Sequence, residues 1–391
     1  MSNSISQLQQ SPTVALMDQI KALKDSGKEI FSMQSGDPNF LTHHSIINSA
    51  HQAMLDGKTH YSESKGYSAL RKAIIEDVHE RIKIPLDPDK NILITHGAVQ
   101  GISLAMRLML KPGDECIIFE PFWNAYLANT IISGASVKVV KTHKENGFQL
   151  DIQEIASEIT QKTKLIVINS PNNPTGAIYS KDSLLALGEI CHKKGIHILL
   201  DDVYEEIIHD ENECFSLQSE KLFFDNIIKV SSFSKSHAMT GWRVGYVIAN
   251  EKIITNLLKL SQFSTTCLSL PSQEGALTAL RSKDACIYKN TMLEKYSFRR
   301  KLTYELTRNS WLKERLLLPQ GTFYCLIDIS DFKVSSTKFA QDILAKSSVA
   351  LTPGIAFGKN FDNYLRLSFS VSDDHVSYAL KSLNNFNPDY A

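Results

Sequence analysis

The chain has 391 residues, carries 42 acidic and 42 basic side chains, and is 43% hydrophobic. Balanced charge removes the basic footprint of a nucleic-acid binder and the charged face of a membrane-surface protein, which leaves small molecules as the expected partners. The length exceeds what one core ordinarily supports, so two domains sharing a cleft are expected.

Six cysteines, at 116, 191, 214, 267, 286 and 325, show no C-x-x-C pair and no metal-type spacing. They read as reduced thiols of a cytoplasmic protein. The first ten residues are polar and uncharged, a pattern of neither a secretory signal nor a transit peptide. No apolar run approaches the roughly twenty residues of a membrane helix.

In chain order, residues 1–15 read as an arm, mobile or docked on a partner. Apolar residues at helical spacing over 14–23 then lead to a short strand at 30–33. Residues 1–45 are assigned to this arm and to part of a smaller domain. From Ile46 helices alternate with short β-rich runs at 92–95, 116–119, 137–141, 165–169, 196–200, 227–230 and 244–249. Such alternation implies crossover connections and a mostly parallel sheet covered on both faces, here a large domain over 46–285. A long amphipathic stretch around 285–309 bridges back to the smaller domain, which takes residues 286–391. Strands are expected there at 323–329, 348–352 and 365–369, with helices at 336–346 and 375–385.

Ligands of such sheets collect beyond the carboxyl ends of the strands. Four polar motifs follow expected strands directly: His96-Gly97-Ala98, residues 169–176, residues 201–204 and residues 231–243. Their coincidence at one rim points to a single site. The last of them places Lys235 on a strand-to-strand connection, with Ser232 and Ser234 before it and Arg243 eight residues on. Hydroxyls and a guanidinium fork are phosphate-binding donors. An amine among such donors suits a phosphorylated aldehyde, pyridoxal 5'-phosphate, held as a Schiff base.

The S-x-S-K pattern with Gly241-Trp242-Arg243-Val244-Gly245-Tyr246 behind it resembles the lysine motif of the class I and II aminotransferases, the fold-type I pyridoxal-phosphate enzymes. Gly36-Asp37-Pro38, Tyr61, Pro171-Asn172-Asn173-Pro174-Thr175-Gly176, Asp201-Asp202-Val203-Tyr204 and Tyr364-Leu365-Arg366-Leu367-Ser368 fall in that family's order and approximate spacing. The resemblance implies an α/β fold with a large cofactor-binding domain and a smaller α+β domain built from both chain ends.

It also implies roles. Lys235 is the Schiff-base residue and proton carrier, and burial beside cations should lower its pKa. Asp201 resembles the carboxylate set against the pyridine nitrogen. Asp202 is adjacent, and Asp201 is preferred because Tyr204 then lies three residues on. Tyr204 and Asn173 resemble the pair on the cofactor's phenolic oxygen, although Asn173 also suits a structural turn. Ser232, Ser234 and Arg243, with the Gly97 and Ala98 amides at a helix start, form the phosphate set. Trp123 matches the ring-stacking aromatic, while His96 is left as structural. Arg366 is the clamp for the substrate α-carboxylate, and Gly36 brings its backbone to the same group. Tyr61 resembles the tyrosine that reaches the phosphate of the neighbouring subunit, which implies a homodimer with composite sites.

The reading is a ping-pong transfer of an amino group from an L-amino acid to a 2-oxo acid. Val99 stands where some aspartate-active relatives have a lysine, which leans the donor toward neutral or aromatic side chains. An aspartate-type transaminase and a C–S or β-lyase on the same fold are the alternatives. From another class, a binding module that has kept the aminotransferase shell would have lost a catalytic residue or gained an extension, and the chain shows neither.

Overall fold

The computed structural model describes residues 12–388. The expected arm lies outside the described residues through position 11, and from Pro12 the chain is helical. The strands are β1 (Phe31–Ser32), β2 (Ile92–Thr95), β3 (Glu115–Glu120), β4 (Ser136–Lys141), β5 (Thr163–Asn169), β6 (His197–Asp201), β7 (Ile227–Ser232), β8 (Gly245–Ile248), β9 (Leu316–Leu317), β10 (Tyr324–Asp328), β11 (Val349–Ala350), β12 (Thr352–Pro353) and β13 (Tyr364–Ser368). The helices are α1 (Pro12–Asp25), α2 (His44–Leu55), α3 (Ser68–Ile82), α4 (Gly97–Met109), α5 (Ala125–Ile132), α6 (Ile152–Glu158), α7 (Lys181–Lys194), α8 (Glu251–Ser264), α9 (Leu270–Arg281), α10 (Lys283–Thr307), α11 (Ser336–Ser347) and α12 (Asp373–Asn384).

Seven strands form one sheet in the order β2-β8-β7-β6-β5-β3-β4. Only β8 runs against its neighbours; the other six point the same way. The inner strands read as largely apolar runs because both faces are covered, whereas the edge strand β4, with Lys138 and Lys141, is mostly exposed or half-buried. On β3 and β5, Cys116, Ile118, Leu165 and Val167 pack with α4, α5 and α8. The residues between them, Ile117, Phe119, Ile166 and Ile168, pack with α6 and α7 on the opposite face. Period-two alternation thus fixes which side chains each helix layer meets.

A second sheet, β12-β13-β10-β9, is antiparallel. Beside it β1 pairs in parallel with β11, Phe31 opposite Val349 and Ser32 opposite Ala350. The smaller unit is therefore built from both ends of the chain, as expected. The 25-residue α10 packs against both α9 and α12 and so spans the two units.

Two expectations need correction. The single strand expected over 348–352 is two, because 349–350 pair with β1 whereas Thr352–Pro353 pair with β13. The two-residue β9 was not anticipated; it is too short to carry a periodic signal. Among the described residues no helix is long and apolar enough to cross a membrane.

Candidate active site

β2, β5, β6 and β7 share one direction, so their carboxyl ends lie on one rim. A cavity of ≈ 490 Å³ opens there, closed on the far side by Tyr324 and Arg366 of the second sheet and by Gln34 to Asp37 after β1. Ala98, Trp123, Asn173, Asp201, Tyr204, Ser232, Ser234, Lys235, Arg243, Gly36 and Arg366 all border it. Eleven positions scattered through the chain are thereby gathered into one space.

Lys235 is partly buried, and its Nζ donates to the Gly36 carbonyl at 2.7 Å. Burial brings its pKa down to about 8; Asp37 opposes the shift, and the Arg366 and Arg243 guanidiniums add to it. This is the depression expected from the sequence. About a tenth of the amine is then neutral at pH 7 and about half at pH 8.

Asp201 ends β6 and is 2% exposed. Its Oδ2 accepts from the Tyr126 hydroxyl at 2.6 Å, while Oδ1 is buried without a hydrogen-bond partner among the described residues. Burial raises its pKa to about 6, against the Tyr126 hydrogen bond that holds it down. Asp202 takes the opposite face, where its Oδ2 accepts from Lys229 Nζ at 2.7 Å. Strand alternation therefore separates the adjacent acids, and Asp201 is the one at the cavity.

The anion-binding donors sit around the start of α4. Gly97 has φ +68, and a Cβ there would lie 2.4 Å from Arg243 Nη2, so only glycine lets the guanidinium close on this turn. Arg243 Nη1 donates to the Thr240 carbonyl at 2.7 Å, and the Ser234 amide meets Ser232 Oγ at 3.4 Å. The free amides of the helix start and its dipole favour a negative ligand beside them. His96 precedes α4; its amide donates to Gln100 Oε1 at 2.8 Å, and its imidazole is not part of the cavity wall.

Arg366 lies on β13 and is 5% exposed. Nη1 donates to Asn173 Oδ1 at 2.8 Å and Nη2 to the Gln34 carbonyl at 2.7 Å, while Nε is buried without a partner among the described residues. Asn173 is itself fixed through its amide, which donates to Asn169 Oδ1 at 2.8 Å. The Trp123 ring stands edge-on to Tyr126, 5.7 Å between centroids. Tyr204 is buried, which raises its pKa well above the ordinary phenol value. Tyr61 is 88% exposed and lies away from this chain's cavity.

Several wall residues escaped the sequence reading: Tyr126, Tyr324, Gln34 and Phe357. Tyr126 left a usable signal, because it lies three residues after Trp123 at a helix start. The others converge only through strand register and carried none.

The donor set fits pyridoxal phosphate. It offers an amine for the aldehyde, an orphaned carboxylate oxygen for a protonated ring nitrogen, and a glycine-lined, arginine-closed turn for the phosphate. Comparison with known proteins agrees. Residues 28–383 match the model of the family described as aminotransferase class I and II. An aspartate aminotransferase of Thermotoga maritima is 33% identical over 98% of both chains. Aromatic-amino-acid aminotransferase 2 of Thermococcus litoralis is 32% identical over 90% of both. The structure of Thermus thermophilus aspartate aminotransferase with maleate superposes with a TM-score of 0.93 at 30% identity, covering 98% of each chain. Fold, site and relatives converge: the chain belongs to the class I and II aminotransferases, enzymes that work with pyridoxal 5'-phosphate.

Proposed function

We propose that this enzyme moves the amino group of an L-amino acid to a 2-oxo acid in two half-reactions at the cavity described above. Bound pyridoxal phosphate supplies the carbonyl that receives nitrogen and the ring that withdraws electrons from the substrate Cα. Asp201 Oδ1 would hold the ring nitrogen. Ser232, Ser234, Arg243 and the Gly97 and Ala98 amides would hold the phosphate, Trp123 would face the ring, and Tyr204 with Asn173 would take the phenolic oxygen. Lys235 carries the proton removed from Cα, a task its depressed pKa suits. Arg366 binds the α-carboxylate with Gly36 beside it, which orients the Cα–H bond toward Lys235.

What supports the reading is that Lys235, Asp201 and Arg366 line one cavity, with Asp201 Oδ1 and Arg366 Nε left without partners among the described residues. Cations bordering the cavity are Lys235, Arg243 and Arg366, each with a task, and the remaining wall includes Val99, Trp123 and Phe357. This supports a neutral or aromatic donor. The names of several relatives favour an aspartate donor instead, as the second reading. The exposed Tyr61 supports a homodimer in which it reaches the partner's phosphate, and six free cysteines support a cytoplasmic location.

A screen of amino donors against 2-oxoglutarate, pyruvate and oxaloacetate tests the proposal. Protein that stays colourless with added pyridoxal phosphate would refute it, and pyruvate and ammonia released without an acceptor would mark a β-lyase.

A further inference from the structure

One cavity residue touches both halves of the site. Tyr324 is 1% exposed and stands on β10. Its neighbour-but-one, Leu326, lies opposite Arg366 in the antiparallel pair, so Tyr324 and Arg366 share a face of the sheet. That register lays the Arg366 guanidinium over the Tyr324 ring, 4.1 Å from its centroid. The Tyr324 hydroxyl lies 2.9 Å from that of Tyr204, the rings meeting at 75°. Gly36 closes on the same oxygen, since a Cβ there would come within 2.2 Å of it.

Asn173 and the Gln34 carbonyl tether the two Nη atoms of Arg366. Two tethers fix the ends of a planar fork and leave its tilt free. The Tyr324 face, the nearer of two rings against the guanidinium (Phe357 lies 5.0 Å away), removes most of that freedom and attracts the cation electrostatically. On the other side, Tyr204 can donate to only one acceptor. If Tyr204 gives its proton to the cofactor's phenolic oxygen, its own oxygen must accept from Tyr324, and that donation makes Tyr204 the stronger donor.

We propose that Tyr324 is a positioning residue with two separable tasks: its ring sets the tilt of Arg366 for carboxylate capture, and its hydroxyl polarises Tyr204. The inference rests on the aminotransferase reading of Arg366 and Tyr204. Tyr324→Phe and Tyr324→Leu divide the tasks, with Tyr324→Met as the space-filling variant without a ring if the leucine protein does not fold.

The phenylalanine variant is expected to keep KM for every amino donor within about twofold, to lose about fivefold in kcat, and to move the pH midpoint of the holoenzyme's visible band up by about half a unit. The leucine or methionine variant is expected to raise KM about 10- to 30-fold. Equal KM in the phenylalanine and leucine proteins would overturn the first task. An unmoved midpoint in the phenylalanine protein would overturn the second. A wild-type protein without transamination, or Arg366→Ala without loss of amino-acid capture, would instead defeat the underlying reading.

Discussion

Lys229 is fully buried on β7, yet it carries an ammonium whose Nζ lies 2.7 Å from Asp202 Oδ2 and 2.6 Å from Glu205 Oε2. Burial alone pulls that amine toward neutrality, but the two carboxylates outweigh it and hold its pKa above the ordinary lysine value. Lys229→Met fills the same volume and leaves both acids bare, relieved only by Arg81 Nε, 3.6 Å from Glu205. Breaking a buried pair from one side costs about 3–5 kcal/mol, and the partial relief from Arg81 sets the expectation at about 4 kcal/mol at pH 8. The stranded carboxylates would then take up protons in the folded state at a pH where the unfolded chain holds none. Stability of the variant therefore falls as pH rises from the unfolded carboxylate pKa through the raised folded one, and its deficit is smaller at pH 5 than at pH 8. The triple variant Lys229→Met, Asp202→Asn, Glu205→Gln removes the charges together and is expected to recover more than half of the loss. Urea unfolding of the cofactor-saturated proteins at pH 5 and pH 8 measures each term. A single variant within about 1 kcal/mol of wild type at both pH values, or a triple variant no better than the single, would refute the reasoning.

Three further outcomes follow from the site. Uptake of added pyridoxal phosphate by the apo-protein, read from the visible band, should accelerate with pH and level off above about 8, where the Lys235 amine is neutral; Lys235→Ala should form no such band. Gly97→Ala places a Cβ 2.4 Å from Arg243 Nη2 at a backbone φ of +68, so it should weaken cofactor retention in dialysis by about tenfold or more while melting of the apo-protein changes little. Arg366→Ala should weaken amino-acid capture by about a hundredfold in spectroscopic titration and leave the cofactor bound, the loss of a charge-assisted fork; release of cofactor would mean that phosphate and carboxylate ligands have been exchanged.

Most strands of the large sheet were legible because burial on both faces writes them as short apolar runs; the edge strand β4, Ser-Val-Lys-Val-Val-Lys and largely uncovered, was legible by its β-branched content instead. The site was legible because polar motifs stood directly behind four of those runs. What escaped depends on register. Tyr324 belongs to the cavity through its position two residues from the partner of Arg366, and Gln34 through its carbonyl, which no side-chain pattern announces. The split of β11 from β12 reflects a change of sheet within a few residues. Lys229 sat inside an apolar run and read as one more strand residue; the acids that keep it charged are 24 and 27 positions away. Asp201 and Asp202 look alike in one dimension, and only the alternation of the strand sends them to different faces.

The parallel pairing of β1 with β11 sets an order of assembly. Phe31 cannot find Val349 until most of the polypeptide has left the ribosome, whereas every strand of the large sheet lies before residue 249. The platform can form first, as domains do during synthesis, but the wall from Gln34 to Asp37 hangs from that late seam. A nascent chain halted before residue 349 would own the lysine and lack the enclosure around it, so competence to turn over substrate waits on the segment that carries β11.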